Sequence, residues 1–95
     1  MKPVLHDPAD ERLLAMLRAL ANPARLQLFV ALRRGDDRLL QDLSDGLPLS
    51  QSTVSEHVQR LKEAGLITPE RPGALRKYVV DEDALAWLKE RVAGL

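Results

Sequence analysis

The chain has 95 residues, enough for one domain, and it contains no apolar run near the roughly 20 residues that a membrane-spanning helix needs. Hydrophobic residues make up 45% of the sequence and charged residues 29%, as in ordinary folded domains, so the composition argues against disorder. The formal net charge is zero, and the absence of cysteine excludes disulfides, thiolate metal sites and a cysteine nucleophile.

Two cap signals open the first half of the chain. Asp7 before Pro8, and Asn22 before Pro23, each place a side-chain acceptor ahead of a proline at the first helical position. They predict a leucine-rich first helix and a second helix that runs to about residue 34. The apolar residues of the second helix are Leu26, Leu28, Phe29, Val30 and Leu32. Since they cover more than one face, we expect this helix to be buried at the centre of the fold.

A short helix, a tight turn and a longer helix are predicted next. The short helix covers residues 39–44, and Gly46 and Pro48 indicate the turn. The longer helix covers residues 50–64, beginning with a serine cap and stopping at Gly65. This succession is typical of a helix-turn-helix.

The last part of the chain changes character. Residues 66–68 and 76–80 predict two short strands, and Pro72-Gly73 indicates the connection between them. Asp81 then caps a final helix. The predicted fold is mainly α with a small β-hairpin, a winged helix-turn-helix in the order α-α-α-α-β-β-α, forming one domain over residues 1–95.

The helix over residues 50–64 carries the clearest functional signal. At about 100° per residue, Val54, Val58 and Leu61 fall on one side. The opposite arc is polar and consists of Gln51, Ser52, Ser55, Glu56, Gln59, Lys62 and Glu63. A helix in the major groove reads bases through its first turns, where glutamine and serine can pair with base edges. The arc alone fits a solvated amphipathic helix equally well, but the preceding turn and the following hairpin favour DNA.

The charge distribution supports the same interpretation. Residues 50–77 carry five basic and three acidic side chains, a net of +2, although the whole chain is neutral. We predict that this part of the chain contacts double-stranded DNA. The predicted contacts are Ser50, Gln51, Ser52, Thr53, Ser55, Glu56, Gln59, Arg60, Arg71, Arg76 and Lys77.

Three ordered motifs resemble the ArsR-type winged-helix repressors. The segment LRALANPARL over residues 17–26 resembles that family's junction between its first two helices. The segment LSQSTVSEHV over residues 49–58 is similar to its recognition helix, and LKEAGLI over residues 61–67 to the step into its wing. The resemblance implies a homodimer built from the first and last helices, and operator binding that a signal releases.

The apolar residues of the terminal helices suggest the same homodimer, because they exceed what one small domain needs to cover its core. The predicted interface residues are Leu13, Leu17, Leu85, Leu88 and Val92. Whether Trp87 lies under the wing or at the dimer interface is left open.

Several positions depart from the family pattern. Leu39, Leu40 and Gln41 occupy the place of the Cys-Val-Cys metal ligands of many members, and the last helix offers carboxylates but no histidine. We therefore expect no metal and no cofactor. Ala74 replaces the usual wing arginine, and Glu56 stands where a basic or neutral residue is commoner. Beside phosphates, Glu56 would weaken affinity.

Two functional hypotheses follow. The first is a cytoplasmic DNA-binding repressor, because the N-terminus lacks the apolar stretch of a signal peptide, with an inducer that the sequence does not identify. The alternative is a winged-helix protein-interaction module that has lost DNA binding, which the zero net charge, Glu56 and Ala74 suggest. An enzyme is the least favoured reading, because no acid, base and nucleophile converge.

Overall fold

The computed structural model describes residues 7–34, 51–70 and 78–95, and for Gln51 and Ser52 the backbone alone. The elements are α1 (Pro8–Leu20), α2 (Pro23–Arg33), α3 (Gln51–Glu63), β1 (Ile67–Pro69), β2 (Tyr78–Val80) and α4 (Glu82–Ala93). Their order agrees with the prediction, with helix ends and strands displaced by a residue or two. The predicted helix over residues 39–44 and the turn at Gly46 and Pro48 lie outside the described residues.

Local capping chemistry sets the starts of three helices. Asp7, Asn22 and Asp81 precede α1, α2 and α4, and each has an extended backbone. The side-chain oxygen of each accepts from backbone N–H groups two or three residues ahead, at 2.8–3.1 Å. These bonds satisfy donors that the first turn of a helix leaves without a partner. The three predicted caps are confirmed.

The core lies where α2 meets α1, α3 and β2. The buried hydrophobic residues include Met16, Leu28, Phe29, Val54, Val58, Leu61, Leu66 and Leu85. Helix α2 is central, as predicted, and its buried residues Leu28, Phe29 and Leu32 lie on one side of it. The expectation that its other apolar face is also buried is wrong, because Leu26 is 47% exposed.

A glycine turn joins α3 to the hairpin. Gly65 has φ of +79°, a left-handed conformation that glycine adopts without strain. The N–H of Gly65 donates to the carbonyl of Lys62, and the N–H of Leu66 donates to the carbonyl of Leu61, which is the Schellman pattern. Leu61 and Leu66 are both fully buried, so the chain leaves the helix in a fixed direction.

The two strands pair antiparallel and connect back to the core. The register places Ile67 opposite Val80, Thr68 opposite Val79 and Pro69 opposite Tyr78. Ile67 and Val80 are buried while Thr68 and Val79 are exposed, as expected when one face of a hairpin packs on the core.

Trp87 lies where α4 packs against α1. The Arg12 guanidinium stacks 4.1 Å from the centre of the indole ring, and the guanidinium of Arg91 lies 5.8 Å from it. Arg91 also donates from Nη2 to Asp10 Oδ1 at 2.8 Å. A half-buried tryptophan and an ion pair therefore join the first and last helices within one protomer.

Candidate nucleic-acid interface

One face of α3 is anchored in the core. Val54 and Leu61 have no exposed surface, and Val58 is 3% exposed. The helix wheel predicted this face correctly. Because three successive turns are held by buried side chains, the opposite face is fixed in orientation relative to the rest of the domain.

The opposite face of α3 presents a polar stripe. Ser55, Glu56, Gln59 and Arg60 are all exposed. Ser55 and Gln59, and likewise Glu56 and Arg60, are four residues apart and so lie on adjacent turns of the same face. The stripe offers hydroxyl and amide groups that can both donate and accept, together with one positive and one negative charge.

Glu63 organises the C-terminal end of this stripe. Its Oε1 accepts from Gln59 Nε2 at 3.3 Å, and its Oε2 lies 3.7 Å from Arg60 Nη1. Both pairs have helical spacing, so the sequence alone contains the signal for them. The pairs are exposed, and such contacts are weak enough to exchange for other partners.

The first turn of α3 carries no acidic side chain. No side chain of that turn therefore offsets the partial positive charge of the helix N-terminus, which favours an approach by polyanionic DNA. Gln51 and Ser52 lie in this turn, and Thr53 is half-buried. The predicted contact Ser50 lies outside the described residues.

The wing is described only at its base. The predicted phosphate contacts Arg71, Arg76 and Lys77 lie outside the described residues, so the structure does not relate them to the stripe on α3. The paired strands flanking this segment are fixed to the core, since the N–H of Asp81 donates to the carbonyl of Leu66 at 3.0 Å.

The residues predicted at the dimer interface divide into two groups. Leu13, Leu85 and Leu88 are at most 7% exposed and belong to the core of the protomer itself. Leu17 on α1 and Val92 on α4 are 39% and 43% exposed. Of the five, these two are therefore the side chains that most readily contact a second copy.

The described residues contain neither a metal-binding cluster nor a membrane-spanning helix. No three carboxylate or histidine side chains in residues 7–34, 51–70 and 78–95 are grouped so that they could hold a metal ion. Within the same part of the chain, no helix has the length and apolar character needed to cross a membrane.

Comparison with known proteins identifies relatives over most of the chain. Residues 20–70, just over half of the chain, match the model of a helix-turn-helix domain family. The chain is 39% identical over 71 residues to the HTH-type transcriptional repressor SmtB of Mycobacterium tuberculosis, covering 75% of this chain and 52% of that repressor. It is 31% identical over 84 residues to the HTH-type transcriptional regulator NmtR of the same species, covering 88% and 69%. The chain thus spans about half the length of the first relative.

Solved structures show the same fold. A possible transcriptional regulator for arsenical resistance superposes with a TM-score of 0.72 at 32% identity, over 84% of this chain and 82% of that one. The homodimeric winged helix-turn-helix DNA-binding domain of a possible ArsR-family regulator from Mycobacterium bovis superposes with a TM-score of 0.70 at 26% identity, over 99% and 90%. The predicted winged helix-turn-helix fold is therefore confirmed.

Proposed function

This chain belongs to the ArsR-type winged helix-turn-helix family of transcriptional regulators, as its motifs indicated, and from this premise we propose that it is a sequence-specific DNA-binding repressor. The observation that carries the proposal is the polar stripe of Ser55, Glu56, Gln59 and Arg60. It lies on a helix whose other face is buried, directly before a hairpin that packs on the same core.

The proposed contacts divide into two kinds. Side chains on the early turns of α3, those of Gln51, Ser52 and Ser55, approach base edges in the major groove and specify the sequence. Arg60 and the basic residues of the segment between the strands approach phosphates and position the protein. The latter residues are Arg71, Arg76 and Lys77.

We propose further that the repressor acts as a homodimer through α1 and α4. The related domain from Mycobacterium bovis is homodimeric. In this chain α1 and α4 pack together and expose Leu17 and Val92 on their surfaces. A two-fold dimer would present two copies of α3 to two half-sites, which predicts an operator with inverted repeats.

The remaining parts of the proposal follow from this role. A repressor that reads DNA acts in the cytoplasm and regulates by occupying its operator, without catalysing a reaction. Its control requires a signal that changes operator affinity. The sequence has no cysteine, and its last helix has no histidine to join the carboxylates there, so we propose a signal other than a metal at those two places.

Selection of preferred sites from random duplex DNA tests the function. The purified protein is expected to enrich an inverted repeat, with an affinity for random DNA that falls steeply as salt rises. Enrichment of no sequence, together with DNA binding that is weak at low salt, would favour the alternative of a protein-interaction module.

A further inference from the structure

An open cleft is lined by residues of α1, α2 and the C-terminal end of α3. Its volume is about 510 Å³, which is within the range of small-molecule sites. Its charged lining consists of Arg18, Arg25, Arg60 and Glu63. Three guanidinium groups against one carboxylate give the cleft a formal charge of +2, although the whole chain is neutral.

Arg25 has an unsatisfied donor. Its Nε is buried and has no hydrogen-bond partner, whereas buried polar groups in folded proteins are nearly always paired. Asn22 caps the backbone N–H of Arg25, which fixes the start of its side chain at the first turn of α2. Within the described residues, no carboxylate pairs with Arg25 or with Arg18, so neither guanidinium group has a competing anionic partner there.

The uncharged wall of the cleft is made of small side chains. Ala15 and Ala19 of α1 and Ala64, directly after α3, line it. Methyl groups leave space between the helices and provide a surface for the apolar part of a ligand. The site therefore suits an organic anion better than a bare inorganic ion, which would fill only a fraction of the volume.

We propose that this cleft binds a small organic anion carrying a carboxylate or phosphate group, and that its binding lowers the affinity for the operator. Arginine presents a planar set of donors that matches the oxygens of carboxylate and phosphate. Arg25 and Arg18 hold the acidic group, because neither has a competing carboxylate. The second part of this inference rests on the proposed DNA-binding function.

Arg60 connects the cleft to the DNA-binding helix. It lines the cleft, and it also belongs to the exposed stripe on α3, where we place it near phosphates. Its only ion pair among the described residues is the 3.7 Å contact with Glu63, which is readily exchanged. An anion in the cleft attracts Arg60 away from the DNA backbone, and linkage requires that DNA in turn weakens anion binding by the same factor.

The position of the cleft favours a small ligand over a phosphate of the duplex. Arg60 follows Gln51 by nine residues, which places it about 13 Å along the helix axis from the base-reading end. The Arg25 Nε is buried, whereas the side chains of the stripe on α3 are exposed.

Nuclear magnetic resonance of the ¹⁵N-labelled protein tests the site without DNA. Inorganic phosphate, phenyl phosphate and citrate are titrated separately at constant ionic strength, and the Arg25 Nε–Hε signal is followed. We expect a saturable shift of that signal with at least one of the two organic anions, at lower concentration than with inorganic phosphate. Arg25→Gln removes the Nε–Hε reporter, so the variants are compared through the backbone amide signal of Ala19, which lines the cleft. Arg25→Gln and Arg18→Gln should each weaken the binding by roughly tenfold, because each removes a charge-assisted pair. Arg34→Gln makes the same charge change at an exposed arginine outside the cleft and should leave the binding unchanged.

Operator binding in the presence of the same anion tests the coupling. The anion that binds should raise the operator Kd by roughly fivefold or more at constant ionic strength, and Arg18→Gln should abolish that increase. No shift with either organic anion would refute the site, as would equal losses in Arg18→Gln and Arg34→Gln. If duplex DNA shifts the Arg25 Nε–Hε signal and the small anions do not, the cleft binds a DNA phosphate and the proposal is overturned. Saturable binding with an unchanged operator Kd would refute the coupling. Absence of all DNA binding would instead refute the proposed function, and the titration would still decide the site.

Discussion

Glu56 is the residue whose charge opposes the proposed function most directly. It is exposed in the polar stripe of α3, one turn before Arg60. Glu56→Gln keeps the shape of the side chain and removes its repulsion of phosphates, so affinity for random duplex DNA should rise by roughly two- to fivefold at low salt and less at high salt. Fluorescence anisotropy at two salt concentrations measures this. Glu90→Gln on α4 is the control, and an equal gain in both variants would show a general charge effect only.

Gln51 and Arg76 separate base reading from phosphate contact. Replacing Gln51 with alanine should cost about 1–3 kcal/mol on the selected operator and little on random DNA, because a base contact carries the sequence information. Arg76→Ala should weaken binding to both nearly equally and reduce the salt slope by about one. The measurement is Kd against salt for both DNAs. If Arg76→Ala abolishes the preference for the operator and Gln51→Ala preserves it, the groove assignment is wrong.

Helix α2 offers a matched comparison at the scale of an element. Leu28 is 1% exposed and Leu26 is 47% exposed, so the same substitution two residues apart samples the core and the surface. Leu28→Ala should lower the free energy of unfolding by about 2–5 kcal/mol through lost burial and the cavity that remains. Leu26→Ala should cost less than about 1 kcal/mol. Urea denaturation measures both, and similar losses would contradict the burial of α2 on one side only.

Elements whose geometry depends on a few neighbouring residues were predictable from the sequence. The caps at Asp7, Asn22 and Asp81 depend on bonds to the next two or three residues, and the turn at Gly65 depends on one left-handed residue. The exposed and buried faces of α3 follow from helical periodicity alone. The exposure of Leu26 was not predictable, because the composition of α2 does not reveal which of its apolar faces lacks a neighbour.

Sites assembled from distant segments were not predictable. Arg18, Arg25 and Arg60 come from three helices, and no motif in the sequence relates them as cleft residues. The stacking of Arg12 on Trp87 likewise joins the two ends of the chain, which no local pattern reports. The predicted interface leucines illustrate the same limit. An apolar stripe on a helix has the same sequence pattern whether it packs inside one protomer or against a second protomer.

At the scale of the whole molecule, the proposed dimer explains the distribution of apolar surface on the terminal helices. The protomer buries Leu13, Leu85 and Leu88 by itself, so they are not available to drive association. Association then depends on the exposed remainder, which includes Leu17 and Val92. A dimer also serves the function, because two linked reading helices bind two half-sites far more tightly than one helix binds one.

Two valines test where that association occurs. Val92 on α4 is 43% exposed and Val79 on β2 is 37% exposed, so an aspartate at either position disturbs the protomer's core to a similar, small extent. Val92→Asp introduces a charge that a dimer interface through α4 would have to desolvate, and it should shift the protein toward the 10.6 kDa monomer. Val79→Asp should leave the dimer intact. Sedimentation at micromolar concentrations distinguishes the two species.

The proposal predicts that operator binding by Val92→Asp weakens in step with the loss of dimer. A wild-type protein that sediments only as a monomer would refute the homodimer, and dimer loss in Val79→Asp alone would move the interface to the wing.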